Sequence, residues 1–180
     1  MSVRWEQETT VADLIIPKAI LDDIIAHAKE LAPHECCGFL AGVGNTVTRV
    51  YRIKNVVSLE GAVESASFDE AKVHHLSHLS PEERAEIAFI MDSAEMFQAV
   101  KDMRKQSLKL QVVYHSHPKD PARPSPTDIK IANDWEESWS QLNLTLPMYL
   151  LISLMTASRP NVKAYWIKSG EYALADLQIS

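Results

Sequence analysis

The stretch Tyr114–Asp128, YHSHPKDPARPSPTD, leaves a chain few ways to fold around it. Leu110, Val112 and Val113 form an apolar strand run that leads into His115 and His117. Residues i and i+2 of a strand point to the same face. Two imidazoles on one face of a rigid strand are a preformed pair of metal ligands. The loop that follows carries Pro118, Pro121, Pro124 and Pro126. Such a loop is stiff and holds a ligand with little entropy left to lose. Ser125-Pro126-Thr127-Asp128 then reads as a helix start, with Ser as cap and Pro at the first helical position. Taken alone, this is only a cap. Beside His115 and His117, the fixed Asp128 carboxylate keeps a second oxygen free for a metal. Two His and one carboxylate form an open zinc set, with the fourth position left for water. The pattern points to metal-assisted hydrolysis.

The rest of the chain supplies strands and helices around this segment. Leu14–Ile16 reads as a short strand ended by Pro17. Ile20, Leu21, Ile24, Ile25, Ala28 and Leu31 recur at helical spacing up to Pro33. Cys37–Val43 and Thr46–Ile53 flank the turn signal Gly44-Asn45 and predict a hairpin. Ala88–Met91 has strand character, and Asp92–Glu95 opens a helix running to about Lys105. A helix is expected from Pro126 to about Trp135, then strands over Met148–Met155, Val162–Ile167 and Tyr172–Ile179. Strict βαβ alternation is missing, so the fold class is α+β, with helices on a mixed, curved sheet. Neither a repeat nor a Gly/Ser linker divides the chain. The expectation is one domain over residues 1–180 with an insert at about 58–87.

That insert holds Glu60, Glu64, Asp69, Glu70, Glu82, Glu83 and Glu86 against Lys72 and Arg84. This acidic balance sets it apart from the rest of the chain. His74 and His78 share one helical face there, with His75 beside them. A solvated polar helix is the simpler reading, and a second metal the other.

Upstream, Glu35 stands between an apolar helix and an apolar strand, an unusual place for a carboxylate. A bland reading makes it a solvated loop residue or a cap. A zinc hydrolase needs a base to take a proton from water, and Glu35 is the best candidate by context. Cys36 or Cys37 with His115 would be a thiol alternative, but the zinc set is complete and cysteine is often simply buried. Ser116 points to the opposite strand face and reads as packing or a hydrogen bond, not as a nucleophile.

Glu35, then His115-Ser116-His117, then Ser125 and Asp128 at their spacing resemble the JAMM (MPN+) metalloprotease signature. The stretch Pro33-His34-Glu35-Cys36-Cys37-Gly38-Phe39-Leu40-Ala41-Gly42 is similar to its bacterial and archaeal members. The resemblance runs from about Leu14 to Ile167, and beside the more compact bacterial pattern residues 58–87 stand out as an insert, a lid or a substrate-docking element. It implies an MPN (cytidine-deaminase-like) fold and a zinc-dependent peptidase or isopeptidase. It also implies His115, His117 and Asp128 as ligands of one Zn²⁺, Glu35 as general base and Ser125 as an oxyanion donor. The substrate implied is a ubiquitin-like or sulfur-carrier protein cleaved after its C-terminal Gly-Gly. The competing readings are an interaction scaffold of the same fold and a zinc hydrolase of a small amide.

Composition removes other classes. A formal net charge of −6 argues against general nucleic-acid binding. No apolar run approaches membrane-spanning length. The opening MSVRWEQETT lacks a basic-then-apolar signal pattern, and two adjacent cysteines cannot build a disulfide framework, so a reducing cytoplasm is the expected compartment. A homodimer is left open.

Overall fold

Pro17 both ends the first strand, β1 (Leu14–Ile16), and caps the first helix, α1 (Lys18–Leu31). The computed structural model describes residues 11–141 and 144–180, so the N-terminal decapeptide read above for a signal pattern lies outside it. β2 (Cys37–Val43) and β3 (Thr46–Ile53) form the expected antiparallel hairpin. Gly44 takes a φ of 62° at its turn, a conformation that favours glycine. Two short helices follow, α2 (Glu70–Ser77) and α3 (Pro81–Ile87), then α4 (Ser93–Lys105). The strand carrying the histidines, β4 (Lys109–His117), precedes α5 (Pro126–Gln141). β5 (Met148–Ser153), β6 (Asn161–Lys168), β7 (Glu171–Leu174) and β8 (Leu177–Ile179) complete the chain.

Among the described residues, all eight strands join one mixed sheet in the order β7-β6-β5-β4-β2-β3-β1-β8. Both faces of its centre are covered. Leu40, Val112, Tyr114, Leu150 and Ile152 pack towards Ile24 and Ala28 of α1. Phe39, Val113, Tyr149 and Leu151 pack towards Ala99 and Met103 of α4 and Ala132 of α5. Side chains alternate between these layers, and so β2, β4 and β5 read as unbroken apolar runs. Each fully buried Leu or Ile there contributes about 1.5–3 kcal/mol. Gly38 lies opposite Tyr114 in the β2–β4 register. A Cβ at Gly38 would collide with the Tyr51 carbonyl and the Tyr114 ring.

The sheet curls until its two edges meet. β7 and β8 lie at opposite ends of the strand order, yet only Ala175 and Asp176 separate them. Ala175 N donates to Ala164 O of β6 at 2.9 Å, while Leu14 N of β1 donates to Asp176 O at 3.1 Å. These two residues are a seam that nearly closes the sheet into a ring.

The acidic segment 58–87 has a core of its own. Val63 and Leu76 are fully buried with Val57, Ala85 and Ala88. Asp69 caps α2, and a Ser80–Glu83 capping box starts α3, as the Ser-Pro-Glu-Glu pattern predicts.

Three element boundaries differ from expectation. Ala88–Met91 is not a strand: Met91 makes a single bridge to Asn55. The run is apolar because it is buried between the sheet and the insert, not because it is paired. α5 continues to Gln141, six residues past Trp135. Tyr172–Ile179 is two strands rather than one, split where the chain crosses the seam.

Candidate active site

β4 delivers His115 and His117 to one face of the sheet, and the proline loop brings the first turn of α5 over them. His115 Nε2 and His117 Nε2 are 3.0 Å apart. Asp128 Oδ1 lies 3.2 Å from the former and Oδ2 lies 3.4 Å from the latter. A tetrahedral ion with bonds of about 2.0–2.1 Å separates its ligand atoms by about 3.3 Å. The two histidine nitrogens and the Asp128 carboxylate, spaced by 3.0–3.4 Å, thus fit such an ion. This is the group of three metal-capable side chains found among the described residues.

The surrounding chain fixes each member. His117 Nδ1 lies 2.8 Å from Pro121 O. As a donor to that carbonyl it carries the proton, which leaves Nε2 as the free ligand nitrogen. The loop is pinned on both sides of Pro121: Ser153 Oγ donates to Asp120 O at 2.6 Å, and Tyr165 Oη donates to Ala122 O at 2.5 Å. Ser125 and Asp128 cap each other. Ser125 N donates to Asp128 Oδ2 at 2.7 Å, and Asp128 N donates to Ser125 Oγ at 3.1 Å. The cap and the carboxylate cluster are therefore one arrangement, with the helix start holding Asp128 against both imidazoles. Phe89 lies against the His115 ring, with centroids 4.6 Å apart.

Glu35 arrives from the neighbouring strand. Cys37 pairs with His115, and Ser116 N donates to Cys36 O. Carrying this register one step further sets Glu35 opposite His117 on the same face. Its backbone is held at every polar atom nearby. Glu35 N donates to Ala85 O of α3 at 2.7 Å, Asn55 Nδ2 donates to Glu35 O at 3.1 Å, and Cys36 N donates to Ser116 Oγ at 2.8 Å. Ser116 has the hydrogen-bonding place expected of it. Asn55 had no signal in the sequence. Its side chain also bonds Ala88 O, Val57 N and Ile90 N, tying both ends of the insert to Glu35.

Charge follows burial. Burial pushes Glu35 well above the usual carboxylate range, and the His117 charge pulls back only part of this. Burial also works against ionised Asp128, but His115 and His117 outweigh it and hold the carboxyl well below its ordinary value. Burial lowers His115, with Asp128 opposing. The two thiols point the other way from a nucleophile: burial raises Cys36 to about 12 and lifts Cys37 well above its normal value. His74 and His78 lie on α2 and at its C-terminus, where His78 Nδ1 is 2.7 Å from His74 O.

The profile of prokaryotic homologs of the JAB domain matches residues 17–168. The chain belongs to that family. As a JAB-domain protein it has the MPN fold, a curled mixed sheet with flanking helices. Over 119 residues it is 34% identical to a probable TtuB-protein conjugate cleaving protease of Thermus thermophilus, covering 66% of this chain and 63% of that protein. It is 26% identical over 161 residues to the CysO-cysteine peptidase of Mycobacterium tuberculosis, covering 89% and 87%. Its resemblance to the desampylase of Pyrococcus furiosus is 27% over 138 residues, covering 77% and 79%. A solution structure from Desulfitobacterium hafniense superposes with a TM-score of 0.65 at 30% identity, covering 93% of this JAB domain and 92% of that chain. One from Salinibacter ruber does so at 0.54 and 23%, covering 93% and 92%. No helix among the described residues is long and apolar enough to cross a membrane.

Proposed function

We propose that this chain is a zinc-dependent peptidase or isopeptidase that cleaves after the C-terminal Gly-Gly of a ubiquitin-like or sulfur-carrier protein. The reading takes residues 1–180 as one catalytic domain, with one Zn²⁺ held by His115, His117 and Asp128. The observation that carries it is the close spacing of the two histidine nitrogens and the Asp128 carboxylate, which suits a tetrahedral ion, beside the buried Glu35. The names of the relatives support the substrate class, since they describe conjugate cleavage and a carrier-protein peptidase.

Bound there, Zn²⁺ supplies Lewis acidity and acidifies water towards a pKa of about 7. Glu35 takes a proton from the attacking water at its carboxylate, and burial makes that carboxylate the more willing acceptor. The water oxygen bonds to the scissile carbonyl carbon. Ser125 Oγ already accepts from Asp128 N, so its own proton is available for the developing oxyanion. As the C–N bond breaks, Glu35 passes its proton to the leaving nitrogen. Ser116 and Asn55 keep the Glu35 backbone in register through this cycle.

Incubating zinc-loaded protein with a ubiquitin-like protein extended beyond Gly-Gly should remove the extension, as read by intact mass. A chelator should abolish the cleavage and added Zn²⁺ should restore it. Cleavage at other positions only, or none on any Gly-Gly-tailed substrate, would overturn the reading.

Metal affinity should follow pH. Burial opposes charge on His117, but the hydrogen bond and charge of Asp128, with Glu35, outweigh it and lift the imidazole to about 9. A metal needs the neutral ring. Below that value zinc must displace a proton, so apparent affinity should climb with pH, by up to about tenfold per unit, and level off above pH 9. Chelator competition measures this, and a flat profile across neutral pH would contradict it.

A further inference from the structure

A pocket of about 240 Å³ opens beside the metal-ligand cluster, between the insert and α5. Ala66 and Phe68 of the insert form one side, with Phe89, Met96 of α4, and Ile131 and Trp135 of α5 forming the rest. Apart from two serines its lining is apolar.

Two relations tie this pocket to the chemistry. Phe89 belongs to both places: it lines the pocket, and its ring lies 4.6 Å from that of His115. On α5, Asp128, Ile131 and Trp135 fall at i, i+3 and i+7, which is one helix face. The pocket therefore begins about 4.5 Å, one short turn, along α5 from the candidate ligand. Its outer side is tethered. Lys130 Nζ on α5 donates to Ser67 O of the insert at 3.3 Å.

Size sets what it can hold. A cavity of about 150 Å³ accommodates benzene, while drug-sized ligands take about 300 Å³ or more. At about 240 Å³ this pocket suits one aromatic or branched apolar side chain. Position sets where that side chain comes from, and this step rests on the Gly-Gly reading above. The two residues on the acyl side of the scissile bond are then glycines and have nothing to insert. The residue before them stands about 10 Å along an extended chain from the first residue of the leaving group, whereas the pocket lies just behind the Phe89 ring that stacks on His115. We infer that the pocket receives the side chain on the leaving-group side of the scissile amide and selects for an aromatic or branched apolar residue there.

The test uses zinc-loaded protein and a ubiquitin-like substrate ending Gly-Gly-X, with X as Phe, Leu, Gly or Asp. The expected result is a kcat/KM for Phe and Leu at least about tenfold above that for Gly and Asp, the discrimination an apolar pocket supplies. Ala66→Phe fills the pocket and should bring the Phe-to-Gly ratio towards one. Ile131→Ala enlarges it and should shift preference from Leu to Phe. Zinc content and circular dichroism establish that each variant is folded. Equal rates for every X, or an undiminished preference in Ala66→Phe, would overturn the inference. If no substrate is cleaved at all, the Gly-Gly reading falls. The pocket is then judged on L-phenylalaninamide binding by tryptophan fluorescence. A saturable change absent with glycinamide and lost in Ala66→Phe supports an aromatic site, and no change overturns it.

Discussion

Glu35→Gln is expected to keep its zinc and its fold while kcat falls by about 10² to 10⁴, the usual contribution of a positioned acid–base group. The amide preserves shape and backbone bonds, so Ala85, Asn55 and Ser116 still hold the strand end. What it cannot do is accept a proton. The pH profile carries the sign. Glu35 works as a base only when ionised, so activity should rise with pH as it loses its proton. Burial sets that limb above the ordinary carboxylate value of 4.5. Residual activity in Glu35→Gln should lack the limb. Full activity in that variant with zinc intact would remove Glu35 from the mechanism. The thiols are poor substitutes, because Cys36 is buried and raised to about 12.

The second large effect is loss of the metal. His115→Ala removes one ligand atom from a set of three, and zinc content and activity should fall together. Asp128→Asn is the sharper variant, because Asp128 serves two ends. Its Oδ2 accepts from Ser125 N at the helix start, and its carboxylate faces both imidazoles. The Asn amide oxygen can still accept from Ser125, so the cap survives while the charge that favours a cation is gone. Elemental analysis should show zinc lost in both variants, with thermal stability of metal-free protein less affected in Asp128→Asn than in Asp128→Ala. Unchanged zinc stoichiometry in His115→Ala and Asp128→Asn would end the assignment.

Much of this arrangement was legible in the residues because it rests on short-range rules. The His115 and His117 pair follows from strand alternation, and the Asp128 placement from a cap with proline behind it. The β2–β3 hairpin follows from Gly44-Asn45 between two runs of strand character. What escaped was long-range. Ala88–Met91 is apolar like a strand, but the Asn55 side chain satisfies Ala88 O and Ile90 N in place of a neighbouring strand. Periodicity cannot register a bond made by a side chain more than thirty positions away. Beyond Trp135 the only apolar position up to Gln141 is Trp139, too little for periodicity to mark where the helix ends. Residues 136–141 are mostly exposed, and helix propensity with the apolar contacts of Trp135 carries the extra turns. The break at Ala175-Asp176 has no turn signal, because the chain there changes sheet edge rather than direction.

That seam has a consequence for how the molecule comes undone. Asp176 N bonds the Asp13 side chain across 163 positions of sequence. Closing a loop of that length costs about 4–5 kcal/mol in chain entropy, offset only when β1, β8 and their neighbours dock together. Contacts so distant in sequence slow folding, so the ring is expected to close late and open first, with native-state amide exchange fastest at β1 and β8 as the measurement that checks it. The strand order puts β4 and β2, which carry the histidines and lead out of Glu35, in the middle, with three strands on either side. Breathing of the molecule therefore starts at the join between its two ends and has three strands to unzip on either flank before it reaches the chemistry.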